Sequence, residues 1–262
     1  MIKKIEAVCN NFKPISLKDM DAANFMDRIE TKYSIHKDLL PTILKKVSKD
    51  YNILQIDNLR IFPYSTLYYD TENNSLYKSH HMGKLLRYKI RYRKYLACDL
   101  SFLEIKRKTT GDRTIKNRIR IDDIEMSLSE KARGYIEENT PFQNASLEPK
   151  IYTNFSRITL VSNSLNERAT IDLNIHFEFN GLDQSFDNLV IIEVKKNTYS
   201  SSSSALIKTL RHYRVVPDGI SKYCIGRALI EKNLKSNNFR LGIKTINKIN
   251  DGKYYYINFG QH

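Results

Sequence analysis

From Leu86 to Arg93 apolar and cationic residues alternate without a break, with Leu86, Tyr88, Ile90 and Tyr92 on one parity and Arg87, Lys89, Arg91 and Arg93 on the other. Side chains two apart share one face of a β-strand, so a strand over 85–95 carries one cationic face and one largely apolar face. The same period recurs. Glu104, Lys106 and Lys108 oppose Leu103 and Ile105, and Lys116, Arg118 and Arg120 oppose Ile115, Ile119 and Ile121. Arg168, Thr170, Asp172 and Asn174 oppose Ala169, Ile171, Leu173 and Ile175, while Glu193 and Lys195 oppose Ile192 and Val194. Nearer the start, Arg28, Glu30 and Lys32 alternate with Ile29 and Thr31. With the β-branched and aromatic runs around them, these patterns predict strands over 28–35, 61–69, 85–95, 101–108, 114–122, 151–160, 168–179 and 189–195.

Helical spacing is sparser. Leu39, Leu40, Ile43, Leu44 and Val47 predict a helix within 36–51, with Pro41 in its first turns. Ser16-Leu17-Lys18-Asp19 opens like a capping box and predicts a helix in a polar segment over 1–24, ahead of a main domain over 25–262. Helices are also read over 124–139 and 205–212. Asn73-Asn74 and Gly111-Asp112 mark turns, and the serines of 200–204 read as a loop. Many antiparallel strands with few helices make an α+β domain built round a barrel.

Charge changes the picture. A chain of 262 residues with a formal charge of +14 suits one large domain that answers its self-repulsion with a polyanion. Nucleic acid, nucleotides, polyphosphate and acidic membrane surfaces are the candidates, and nucleic acid is the commonest. Cys9, Cys98 and Cys224 are too few and too far apart for a disulfide framework or a zinc site, which favours a reducing cytoplasm. No signal peptide or membrane-spanning stretch is read, and no Walker or Rossmann fingerprint is present.

Ordinary solvated sheet faces mix both signs, so that cross-strand neighbours attract. Here adjacent strands would set like charges side by side, a cost that a shared polyanionic ligand removes. The carboxylates among these cations, Glu30, Glu104, Asp172 and Glu193, are then either divalent-cation ligands beside phosphate or salt-bridge partners of neighbouring lysines. Tyr88 and Tyr92 lie on the face opposite the arginines, which counts against base stacking, and DNA is not expected. His36, His80, His81 and His176 are read as surface or structural residues.

These residues resemble a known family. Phe25-x-x-Arg28-x-Glu30-x-Lys32-Tyr33-x-x-His36 looks like the opening motif of the VTC domain, the polyphosphate polymerase branch of the triphosphate tunnel metalloenzymes. Ser65-x-Leu67-Tyr68-Tyr69-Asp70-Thr71, Arg87-x-Lys89-x-Arg91-x-Arg93-x-Tyr95, Glu104-Ile105-Lys106, Lys116-x-Arg118, Arg168-x-Thr170-x-Asp172, Ile192-Glu193-Val194-Lys195 and Ser221-Lys222-Tyr223 follow in the family's order. The chain is similar to a stand-alone catalytic domain of bacterial type, from about 25 to 227.

The resemblance implies an antiparallel eight-stranded β-barrel tunnel with flanking helices, which polymerises inorganic polyphosphate from the γ-phosphate of ATP with Mn²⁺ or Mg²⁺. It implies Lys32, Arg91, Arg93, Lys106, Arg157, Arg168 and Lys222 as the catalytic phosphate clamp. Arg87, Lys89, Lys108, Lys116, Arg118, Lys195 and Ser221 would bind further phosphates, and Glu193 the metal. Two positions depart from the pattern. Phe155 stands where a tyrosine is usual, removing one hydrogen bond to phosphate, and Arg28 replaces the first glutamate of the wider superfamily's ExExK, which weakens a two-metal triphosphatase more than a polymerase. A triphosphatase or nucleotide hydrolase in the same tunnel and a non-catalytic polyphosphate binder are the alternatives. A separate membrane protein partner would supply any export route.

Overall fold

The computed structural model describes residues 1–21, 28–110, 114–142, 147–197 and 203–253. The Gly111-Asp112 turn, Phe25 and most of the 200–204 serine run lie outside them. Eight strands follow one another across an antiparallel sheet in the order β2 (Arg28–His36), β11 (Leu189–Asn197), β9 (Glu167–Phe179), β8 (Leu147–Ser162), β4 (Phe62–Thr71), β5 (Arg87–Tyr95), β6 (Leu100–Lys108) and β7 (Thr114–Ile121). Three short strands lie off this path. β10 (Leu182–Phe186) forms a hairpin with β9, and β3 (Tyr51–Leu54) pairs with β8 and, in parallel, with β1 (Lys13–Ile15).

The sheet curls. In a flat sheet β6 and β11, five strand steps apart, would lie roughly 24 Å from each other. Instead Lys195 of β11 and Lys106 of β6 repel one another across the interior, and Lys32 of β2 acts on Lys89 of β5. Among the described residues the two end strands, β2 and β7, do not pair. The eight-stranded wall is therefore a tunnel with a seam, not a fully hydrogen-bonded barrel.

Three apolar clusters hold this shape. On the convex side of β2, β11, β9 and β8, the parity opposite the charges (Tyr33, Ile35, Ile158, Leu160, Ile171, Ile192, Val194) packs under α1 (Ile2–Cys9), α3 (Leu40–Val47) and α6 (Ala205–His212). Helix α3 forms where its spacing predicts, and Leu40, Ile43, Leu44 and Val47 are fully buried. On the convex side of β4–β7, Leu67, Ile90, Tyr92, Leu103 and Ile105 pack under α5 (Glu130–Asn139), which is shorter than the 124–139 expected because Ser129 caps it. The third cluster lies inside the curl. There α7 (Lys222–Ile230) and α8 (Arg240–Asn250) close on Tyr64, Tyr68, Ile151, Phe155 and Phe177.

Two more α-helices lie among the described residues, α2 (Leu17–Asp21) and α4 (Ser75–His81). Helix α4 follows the Asn73-Asn74 turn, where Asn74 takes the left-handed conformation at φ 59° and donates its N–H to Thr71 O at 2.9 Å.

Candidate functional site in the cationic tunnel

The pleat carries the charged parity of every strand to the concave face. Register sets Arg87 opposite Lys108, Lys89 opposite Lys106, Arg91 opposite Glu104, and Lys106 opposite Lys116. On the far wall, Lys32 faces Glu193, Glu30 faces Lys195, and Lys195 faces Arg168. The expected site residues of β2, β5, β6, β7, β9 and β11 thus share one surface. Arg118 stands opposite Glu104 at its outer margin, on the exposed edge strand, its guanidinium 4.7 Å from the ring centre of Phe102, which shares the parity of Glu104 and Lys106.

Two of the four carboxylates are consumed by arginine. Glu104 is fully buried and accepts from Arg91 Nε at 2.9 Å and Nη2 at 2.7 Å, with Lys116 as an ion-pair partner and Arg93 Nη1 3.9 Å away. Burial opposes its ionisation, but Arg91, Arg93 and Lys116 outweigh burial and hold the carboxyl well below the usual range. Asp172 accepts from Arg157 at 2.6 and 2.8 Å and also from Lys222. These two carboxylates are salt-bridge anchors that aim arginines and lysines.

Glu30 and Glu193 differ. Among the described residues their ion pairs are with lysines: Lys32 bonds Glu30 and stands 3.6 Å from Glu193, which also pairs with Lys195. Despite burial, Lys32, Lys195 and Lys106 draw the Glu30 carboxyl down to about 2. No group of three or more His, Cys, Asp or Glu among the described residues is placed to hold a metal. Two carboxylates set diagonally across the β2–β11 register, each with lysine partners, would suit a divalent cation that a bound phosphate chain helps to hold.

Helix α7 delivers the remaining residues. Ser221 is its N-cap, and Lys89 Nζ donates to Ser221 Oγ at 3.2 Å. Lys222 reaches Asp172 and lies 4.8 Å from the Phe155 ring centre. A buried network fixes the helix. Asp70 accepts from the N–H groups of Thr71, Leu76 and Tyr77 at 2.7, 2.8 and 2.9 Å, from Tyr223 O–H, and from Arg227 at 3.4 Å.

The cations are incompletely answered. Burial, then Arg91, Lys195 and Arg93, push Lys106 well below the ordinary lysine range. Burial likewise lowers Lys89 and Lys222. Among the described residues, Arg93 Nε is buried with no hydrogen-bond partner. A protein that assembles this much uncompensated charge is built for an anion.

Several site residues are visible only in the structure. Tyr68 accepts from Arg91 Nη1 at 3.0 Å, and Arg91, Arg93 and Lys89 lower its hydroxyl against the effect of burial. Tyr64 and Phe155 stack at 5.3 Å, with the Arg157 guanidinium over both rings. The shared parity of Tyr64, Thr66 and Tyr68 on β4 is the signal that could have found two of them. Burial and then the cations Lys89, Arg87, Lys32 and Lys108 lower His80 to about 3, keeping it neutral at the tunnel's end. His36 caps the turn at Asp38, and His176 lies 3.3 Å from Asp183.

A curled antiparallel sheet with a cationic concave face and a helix plugged into it defines a polyanion-binding tunnel. A family model of the VTC domain matches residues 27–231, and the chain belongs to that family. No curated protein matches the chain. Solved structures similar to it include HpAC1 from Hippeastrum, described as a candidate adenylyl cyclase with a dominant triphosphatase activity. It is 15% identical, with 77% of this chain and 95% of that one covered at a TM-score of 0.49. A candidate adenylate cyclase from Vibrio parahaemolyticus is 13% identical, with 76% and 97% covered at 0.46. A Pyrococcus horikoshii protein is 15% identical, with 78% and 100% covered at 0.44.

Proposed function

We propose that this tunnel is a polyphosphate polymerase, transferring the γ-phosphate of ATP to the end of a growing polyphosphate chain. The observation that carries this is the continuity of the cationic face: Lys32, Arg87, Lys89, Arg91, Arg93, Lys106, Lys195 and Lys222 come from four strands and a helix and meet in one interior. Membership of the VTC domain family supports the same reading.

Phosphoryl transfer needs alignment and charge neutralisation more than covalent help. Arg157, Arg168, Arg91 and Arg93 would clamp phosphate oxygens, the first and third already aimed by Asp172 and Glu104. Lys32, Lys106, Lys116 and Lys222 would add point charges along the chain. Arg87, Lys89, Lys108, Arg118, Lys195 and Ser221 would hold its more distant phosphates. An ionised oxygen of the chain's terminal phosphate attacks the γ-phosphorus, the bond to the β-phosphate oxygen breaks, and ADP leaves. Glu193, with Glu30 beside it, would hold the divalent cation the family implies, Mn²⁺ or Mg²⁺, which when bound neutralises charge on the leaving diphosphate. An ATP-fed reaction belongs in the cytoplasm, and a separate membrane protein would carry any exported product.

Incubation with ATP and Mn²⁺ tests this. Long-chain polyphosphate and ADP are expected. ATP consumption yielding only orthophosphate or other short products would give the tunnel to a hydrolase. No consumption, with triphosphate still bound, would make it a binding module.

A further inference from the structure

Most of the exposed large apolar side chains stand singly, which is ordinary for a soluble surface. Met82, Leu85 and Leu86 do not: they are at least half exposed and lie together between α4 and β5. The turn that carries them is well defined. Gly83 at φ 68° ends α4 in the left-handed conformation, and Lys84 N–H closes on Ser79 O at 3.0 Å. Several large apolar side chains held in solvent on one ordered turn mark an interaction site.

The surroundings are cationic. Residues 73–98 contain no Asp or Glu, and neither do residues 232–250. These two segments pack on each other. Asn238 Nδ2 donates to His81 O at 2.8 Å, Tyr77 O–H donates to Lys235 O at 3.0 Å, and the Phe239 ring meets those of Tyr77, His80 and His81. Lys78, Lys84, Lys232, Lys235 and Arg240 are exposed there, and Leu241, next to Arg240, is 79% exposed. Of the flanking carboxylates, Glu231 is engaged by Arg227, and Glu72 is exposed.

We propose that this end of the molecule, formed by the α4–β5 turn and the 232–241 segment, docks on an anionic membrane surface. A phosphate chain would answer the lysines and arginines but gains nothing from Met82, Leu85, Leu86 and Leu241. A bilayer interface accepts both, with apolar side chains at the acyl boundary and cations among acidic headgroups. No described helix is long and apolar enough to cross a membrane, so the attachment is peripheral. Arg87 and Lys108 stand opposite one another at this end of β5 and β6, so docking turns one end of the cationic face toward the bilayer.

The test is sedimentation of the full chain, without nucleotide, with vesicles of mixed phosphatidylserine and phosphatidylcholine against phosphatidylcholine alone. Binding to the anionic vesicles that is lost at high salt is expected. It should weaken at least about tenfold in a Leu85→Ser/Leu86→Ser variant and in a Lys78→Ser/Lys84→Ser variant, with melting temperature and triphosphate-induced shift unchanged. Absence of sedimentation at low salt, or equal binding by unaltered protein and variants, overturns it. A concentration-dependent dimer abolished by Leu85→Ser/Leu86→Ser also overturns it, giving the surface to a second copy. No phosphate compound enters this readout, so its failure leaves the polymerase reading standing.

Discussion

Arg91 and Glu104 stand directly opposite each other on β5 and β6 and form a two-pronged ion pair at 2.9 and 2.7 Å inside the tunnel wall. Glu104 also faces Lys116 and Arg93, so one buried carboxylate compensates three cations. Glu104→Gln removes that charge while keeping the volume. It should destabilise the free protein by about 3–5 kcal/mol, the usual cost of breaking a buried pair. A bound polyanion would replace part of the lost charge, so the stabilisation gained from triphosphate should be larger in the variant than in the parent. Melting curves with and without triphosphate check both halves, and an equal or smaller gain in the variant would count against the wall as a phosphate site.

Acid should unfold the protein through these carboxylates. Glu30, Glu104 and Asp172 all have folded values below their ordinary ones, because Lys32, Arg91 and Arg157 respectively outweigh the effect of burial. A depressed carboxyl contributes stability that is complete above its unfolded value of about 4 and is lost as pH falls toward the folded value. Glu167 and Asp218, raised chiefly by burial, act in the opposite sense. The three paired groups dominate, so urea unfolding midpoints should be flat above about pH 5 and fall steeply between about pH 4 and 2. A flat midpoint down to pH 3 would contradict these pairings.

Lys106 predicts proton uptake on binding. Burial and its cationic neighbours lower its folded value well below the ordinary lysine range. A phosphate chain beside it favours the charged form and raises that value again. Triphosphate should therefore bind with uptake of a proton in the window between the free and bound values, and more weakly as pH rises through it. Calorimetry in buffers of different ionisation enthalpy measures the uptake, and Lys106→Met should reduce it. Identical uptake in the variant would assign the proton elsewhere.

Helix α7 ties site to core through Gly226. A Cβ there would lie 2.5 Å from Phe177 Cδ1 and 2.8 Å from Ile151 Cδ1, so the helix has to move to accept one. Ser221 and Lys222 ride on its first turn. Gly226→Ala should cost about 1–3 kcal/mol of stability by overpacking. It should also weaken triphosphate binding, although the added methyl would meet only the core side chains Phe177 and Ile151. Urea unfolding and a binding isotherm separate the two effects, and unchanged values in both would show that the helix adjusts freely.

What was legible in the chain was whatever period two could carry. The four cations of β5 and their counterparts on β6, β7, β9 and β11 needed only parity to reach one face. Their partners needed register, which parity does not supply: Asp172 reads equally as a cation ligand or a salt-bridge partner until β8 sets Arg157 opposite it and α7 brings Lys222 to it. Strand β3 is only Tyr51–Leu54, and its partners are β1 and β8, distant in sequence, so nothing in four residues marks it as a strand, and its first residue falls in the helix read over 36–51. Helix α4 is one of the shortest α-helices described, and its aromatic face is completed by Phe239, far along the chain. The seam between β2 and β7 concerns edges, and no residue pattern within one strand states which strands are left at the edge.

Glu193 separates chemistry from binding. It pairs with Lys195 and lies 3.6 Å from Lys32, and neither lysine depends on it for position in the sheet. Removing the carboxylate leaves the cationic face more positive, so Glu193→Ala should hold triphosphate at least as well as the parent. If Glu193 holds the cation that neutralises the leaving diphosphate, product formation should fall by at least about a hundredfold, in the range found when one transition-state donor is removed. Lys32→Ala should do the reverse, weakening triphosphate binding itself. Turnover and triphosphate affinity measured side by side on both variants decide the matter. A Glu193→Ala protein with parental turnover removes this residue from the metal site, whatever reaction the tunnel performs.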